Sequence, residues 1–182
     1  ERTEHAAMIE AHRRVVEEMP NALLIVAPRF LEDAADLRVL AEGAFPHVAQ
    51  RSLGEMPRPD TNVYIADTFG EMGLWYRVSP VSFVGHSLTD GLEGKNPFEA
   101  AALGSAILTG PNVSYFSESY DALRAEKACQ EVSNTESLAQ AVVALQAEAA
   151  RQPMLAGASR VIEARRSVLT RTWAAIRDAL NR

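Results

Sequence analysis

The chain has 182 residues, 47% of them hydrophobic and 23% charged, with a formal net charge of −6. That is ordinary globular composition, long enough for one full-sized domain with a sizeable core and short for two. The acidic balance argues against a nucleic-acid binder, which needs a basic face, and the single cysteine rules out a disulfide framework and a thiolate metal cluster.

Met8, His12, Val15, Val16 and Met19 recur at helical spacing, so residues 2–19 read as a helix. Pro20-Asn21 ends it, and the apolar run from Ala22 to Ala27 reads as a strand. Residues 32–43 read as helix, 47–51 as a short strand, and the stretch to Pro59 as a loop. A third strand spans Asn62 to Ala66, followed by a helix from about Gly70 to Arg77. The fourth strand, Val81 to Val84, runs into a glycine-bearing loop, and Pro97 opens the next helix at the favoured first-turn position. Ser105 to Thr109 is a fifth strand, Ser117–Ala125 a helix, and 127–132 an edge strand. Residues 134–150 read as a helix capped by Ser133 or Asn134. Val161, Val168, Trp173, Ile176 and Leu180 mark an apolar stripe on one or two terminal helices, expected to leave apolar surface partly exposed.

No apolar run approaches the roughly 20 residues of a membrane-spanning helix. The chain opens on Glu1 rather than Met, and the expectation is a piece that begins inside a longer protein. Cys129 reads as a buried structural thiol in a reducing compartment.

Continuous apolar strands alternating with helices predict an α/β fold: a Rossmann-like, mainly parallel sheet of five or six strands with helices on both faces. Ligands of such sheets bind outside the carboxyl ends of the strands. The loops after the first, third, fourth and fifth strands hold nearly every unusual residue. Arg29 can grip a phosphate or carboxylate with its fork of donors, or close a surface salt bridge to Glu32 or Asp33. In Phe69-Gly70-Glu71 the glycine allows a ligand close to the backbone, while Glu71 can simply complement the following helix dipole.

Gly85, Gly91 and Gly94 form a loop that can aim amides at a phosphate, but its spacing fits neither the dinucleotide fingerprint nor the P-loop. Asn96 stands at the cap of the next helix and Glu99 in its first turn, where a carboxylate can accept ribose hydroxyls. His5, His12, His47 and His86 are scattered without metal-ligand spacing, and no Ser-His-Asp order is present.

Ala27-Pro28-Arg29, then the run from Ala66 to Tyr76, then Phe83-Val84-Gly85, Asn96-Pro97-Phe98-Glu99 and Ala102-Leu103-Gly104 together resemble the carboxyl-terminal domain of 3-deoxy-D-manno-octulosonic acid (Kdo) transferases. The resemblance runs in order from about residue 10 to 125; no single motif decides it, and the ordered set is specific. It implies that residues 1–182 are one nucleotide-sugar-binding domain, the second half of a GT-B glycosyltransferase, with terminal helices over about 134–182. The amino-terminal acceptor domain lies outside the chain.

The implied activity is metal-free transfer of Kdo from CMP-Kdo to lipid A precursor at the cytoplasmic face of the bacterial inner membrane. Pro28, Arg29, Phe69, Gly70, Glu71, Asn96, Pro97, Phe98 and Glu99 correspond to positions contacting CMP. Gly85, Ser87 and Lys95 fall where phosphate or sugar would lie. The family's catalytic base sits in the other domain, so no catalytic residue is expected here.

Relatives usually carry Gly-Gly-Ser where this chain has Gly85-His86-Ser87, and Gly-Gly-His/Gln-Asn-Pro where it has Glu93-Gly94-Lys95-Asn96-Pro97. Two other readings stay open: a GT-B transferase or sugar epimerase using a uridine nucleotide, and a non-catalytic α/β binding module.

Overall fold

The structure is a computed structural model that describes residues 2–180, without the side chains of residues 2, 3, 167–171 and 175. In chain order it comprises α1 (Arg2–Glu18), β1 (Leu24–Val26), α2 (Ala34–Ala44), β2 (Val48–Gln50), β3 (Val63–Ile65), α3 (Met72–Val78) and β4 (Val81–Val84). There follow α4 (Phe98–Ala102), β5 (Ala106–Thr109), α5 (Ser117–Ala125), β6 (Cys129–Glu131), α6 (Thr135–Ala144) and α7 (Glu148–Leu180).

Every strand pairing is parallel, with an α-helix in each connection between successive strands except that from β2 to β3. The six strands nevertheless form two sheets of three, ordered β1-β3-β2 and β4-β5-β6, where one sheet was expected. Among the described residues no ladder joins the two sheets, and β1, β2, β4 and β6 are each paired along one edge only.

Helices cover both faces of each sheet. Alternation along β5 sends Ala106 and Leu108 into a core with α1 and α6, and Ile107 into a second core with α4, α5 and α7. A third core joins Ile9 of α1 and Leu37 and Ala41 of α2 to Val26, Val63 and Ile65. Two helices span the division. On one face α1 gives Ile9 to one core and Ala11 and Val15 to another. On the other, α3 sets Trp75 edge-on to Tyr64 of β3, centroids 5.7 Å apart, and packs Tyr76 against the cluster around Val84.

Three boundaries depart from expectation. α4 starts at Phe98 with Pro97 as its cap, and Asn96 Oδ1 accepts the Phe98 N–H at 3.0 Å. The helix expected over 134–150 ends at Ala144, after a capping box in which the Asn134 side chain and Ser137 satisfy each other's amides. A single helix, α7, then runs 33 residues with Pro153 inside it. Pro153 is the sixth residue of α7, past the first turn, so its missing N–H costs the bond that a residue there would give to the Ala149 carbonyl. The terminal stripe is exposed at Trp173, Ile176 and Leu180, as expected, while the side chain of Val168 lies outside the described residues. No helix among the described residues is long and apolar enough to cross a membrane.

Candidate nucleotide site at the carboxyl ends of the strands

The loops that leave β2 and β3 are cross-linked by two carboxylates. Asp67, just beyond β3, is buried and accepts Gln50 Nε2 at 2.6 Å, the Ser52 hydroxyl at 2.6 Å and the Ser52 N–H at 2.9 Å. Burial works to raise its pKa, but the bonds from Ser52 and Gln50 outweigh it and hold the carboxyl below the usual range. Glu71 meets Arg51 in a two-pronged ion pair, with Nη2 at 2.8 Å from Oε1 and Nε at 3.1 Å from Oε2, and also accepts the Thr68 hydroxyl. Those contacts hold the Glu71 pKa at about 2, Arg51 being the larger cause. Glu71 is the cap residue of α3, yet its side chain makes no capping bond, so the pairing with Arg51 takes precedence over the helix terminus.

Between these anchors stands the exposed tip of the loop. Phe69 is 84% exposed, and Gly70 follows at φ +85°, a conformation that costs glycine little. On the neighbouring strand, Pro28 is buried and Arg29 projects outward, its guanidinium carbon 5.3 Å from the centre of the Phe30 ring. The bond from the Ala66 N–H to the Val26 carbonyl, 2.8 Å, keeps these two strand ends side by side.

The loop after β4 is organised from within. The Glu4 carboxylate on α1 is 3% exposed and accepts the backbone N–H groups of His86, Ser87 and Leu88, the last two at 2.7 and 2.8 Å. Ser87 is fully buried; its hydroxyl donates to the Val84 carbonyl and accepts the Gly110 N–H at 2.8 Å. Gly110 lies so close to this loop that a Cβ would stand 2.1 Å from the Ser87 carbonyl oxygen. The amides around Gly85 and Ser87 are therefore engaged by Glu4.

Farther along, Gly94 sits at φ +81° against Val113. Lys95 is half-buried and its carbonyl accepts the Tyr120 hydroxyl at 3.0 Å. Pro97 is buried, and Asn96 and Glu99 are exposed at the start of α4. Phe98 is covered by Arg165 of α7, with 3.8 Å between guanidinium carbon and ring centre. Burial raises the pKa of Tyr76 on α3, helped by the charge of Glu99, which places α3 beside the first turn of α4.

Arg29, Phe69, Asn96 and Glu99 thus present exposed groups along the carboxyl ends, whereas Ser87 is spent inside. Sequence reasoning missed Glu4, Arg51 and the Asp67 network. The loop after β2 carries the only local signal, a polar Gln50-Arg51-Ser52 run at a strand's carboxyl end.

No family model matches the chain. A probable mitochondrial 3-deoxy-D-manno-octulosonic acid transferase of Arabidopsis thaliana is 34% identical over 124 residues, 68% of this chain and 28% of that protein. The 3-deoxy-D-manno-octulosonic acid transferase of Haemophilus influenzae is 34% identical over 146 residues, 78% of the chain and 33% of that protein. The chain therefore spans about a third of the length of these relatives. Among solved structures, the C-terminal CMP-Kdo binding domain of WaaA from Acinetobacter baumannii superposes with a TM-score of 0.82 at 28% identity. That match covers 87% of this chain and 83% of the other. Sequence and fold agree that the chain belongs to the 3-deoxy-D-manno-octulosonic acid transferase family, in the part that forms the C-terminal domain.

Proposed function

We propose that this domain binds the CMP part of CMP-Kdo against the carboxyl ends of its strands. In this reading the longer protein is a GT-B glycosyltransferase that moves Kdo to lipid A precursor. The observation that carries it is the coincidence of exposed Arg29, Phe69, Asn96 and Glu99 along one edge of a fold shared with a CMP-Kdo binding domain. Arg29 pairs with the phosphate, for which its planar fork is suited. Asn96 and Glu99 receive ribose hydroxyls, and Phe69 lies against the base. Pro28, Gly70, Pro97 and Phe98 shape the walls, and Glu71 fixes the tip bearing Phe69. Lys95 adds charge for the phosphate or the Kdo carboxylate.

The chemistry needs no metal, because side-chain cations meet the leaving phosphate. The catalytic base and the lipid acceptor belong to the other domain, at the cytoplasmic face of the inner membrane. The isolated chain consequently binds CMP weakly and transfers nothing. Calorimetry against CMP, UMP and AMP tests the reading. Preferential binding of CMP supports it, and preference for UMP would move the assignment to a uridine-nucleotide enzyme.

A further inference from the structure

We propose that Arg51 is a positioning residue of the nucleotide site, acting through Glu71 to hold the Phe69-Gly70 tip in its binding position. The inference rests on the CMP reading and extends it to a residue on a different strand. Arg51 follows β2, two strands from the loop bearing Arg29 in the order β1-β3-β2. Its guanidinium spans both oxygens of Glu71, 20 residues away, while Thr68 binds the same carboxylate from the opposite end of the tip. The tip is therefore closed at both ends, and the intervening Phe69 and Gly70 are exposed.

A glycine at φ +85° with no atom within 4 Å of its Cβ position has no packing of its own to set its direction. The ion pair supplies that direction. Asp67 performs the matching task earlier in the same loop, tying Ser52 and Gln50 to the end of β3, so Arg51 works from an already fixed base. A lysine at this place would supply charge without the two-pronged geometry. The depressed Glu71 pKa, about 2, agrees with a carboxylate kept ionised by this pairing.

The test uses this chain with Arg51→Ala, Arg51→Lys, Glu71→Gln and the Ala/Gln double variant, measuring CMP affinity and following the Glu71 carboxyl by carbon-13 NMR titration. Arg51→Ala should bind CMP about tenfold more weakly, the scale of losing a charge-assisted bond. Arg51→Lys should fall between it and the parent. The double variant should be no worse than the poorer single, because the two residues act as one unit. In Arg51→Ala the Glu71 carboxyl should titrate nearer its ordinary 4.5.

An unchanged CMP affinity in Arg51→Ala, with the Glu71 titration moved, overturns the positioning role while leaving the CMP reading intact. Losses that add in the double variant also overturn it, since Arg51 would then touch the ligand independently. A parent chain that binds no CMP removes the functional reading, and this inference with it.

Discussion

Glu4 and Ser87 are 83 residues apart in sequence, and the carboxylate of the first accepts the N–H of the second at 2.7 Å. The same carboxylate also takes the His86 and Leu88 amides, so one side chain on α1 organises the loop that follows β4. A buried carboxylate surrounded by donors is stabilising only while all of them stay matched. Glu4→Ala leaves three amides without an acceptor and should destabilise the fold by about 3 kcal/mol. Glu4→Gln keeps one acceptor oxygen and should lose less. Urea unfolding of the two variants checks the order, and equal stabilities in variants and parent would show that water replaces the carboxylate at no cost.

His86 stands at φ +63°, in the left-handed region where a non-glycine residue is strained by about 1–2 kcal/mol. His86→Gly should relieve that strain, with part of the gain returned as unfolded-chain entropy. The expected net is about 0.5–1 kcal/mol more stability in denaturant melts. A loss would mean that the imidazole makes contacts worth more than the strain.

Acid should weaken the fold through α1. His5 and His12 are buried, and burial lowers the pKa of both from 6.5; for His12 the bond to the Asn62 carbonyl opposes this without cancelling it. Above pH 6.5 both imidazoles are neutral whether or not the chain is folded. Below it the unfolded chain takes up protons that the folded chain declines, so stability falls as pH drops until the lowered folded values are reached. The urea midpoint should be level from pH 8 to 7 and then decline toward pH 5, less steeply in His12→Gln. A midpoint that stays level to pH 5 would contradict the buried neutral imidazoles.

At the proposed nucleotide site, Arg29→Ala and Glu99→Ala should each weaken CMP binding by about 1–3 kcal/mol. Lys95→Ala should weaken binding of CMP but not of cytidine, and the difference should shrink as salt rises. Calorimetry with both ligands at two ionic strengths decides. Equal losses for CMP and cytidine, or none for either, would leave Lys95 as an ordinary surface residue, since the carbonyl that accepts the Tyr120 hydroxyl is kept in the variant.

Burial raises the Cys129 thiol pKa to about 11. Since the thiolate is the reactive form, labelling by a disulfide reagent at pH 8 should be on the order of a hundredfold slower than for a free cysteine. Cys129 is only partly buried in the structure, where full burial was expected; denaturant should restore ordinary rates, and rapid labelling of the folded chain would refute the raised thiol pKa.

Much of this architecture is legible in local pattern. The recurrence of Met8, His12, Val15 and Val16 gives α1, and continuous apolar runs give strands covered on both faces. The position of the candidate residues at the strand ends follows from the same alternation, because a parallel sheet places consecutive carboxyl ends on one side. What stays hidden depends on pairing across distance. Nothing local to β1 or β4 says that they lack each other as partners. Glu4 reads as an ordinary first-turn acid because its amide partners lie more than 80 residues away. Glu71 likewise reads as a helix-dipole residue until Arg51 is placed beside it by the β2–β3 register.

The divided sheet bears on how the molecule opens. With no ladder joining β1 to β4, breathing of one strand triplet need not propagate hydrogen by hydrogen into the other. Cooperation between the halves passes instead through side-chain packing of α1 and α3, which span the division on opposite faces. Native-state amide exchange should accordingly resolve two protected blocks, β1-β3-β2 and β4-β5-β6, each with its own opening free energy. Packing substitutions in α1 or α3, such as Ile9→Ala or Trp75→Ala, should widen the gap between the two blocks.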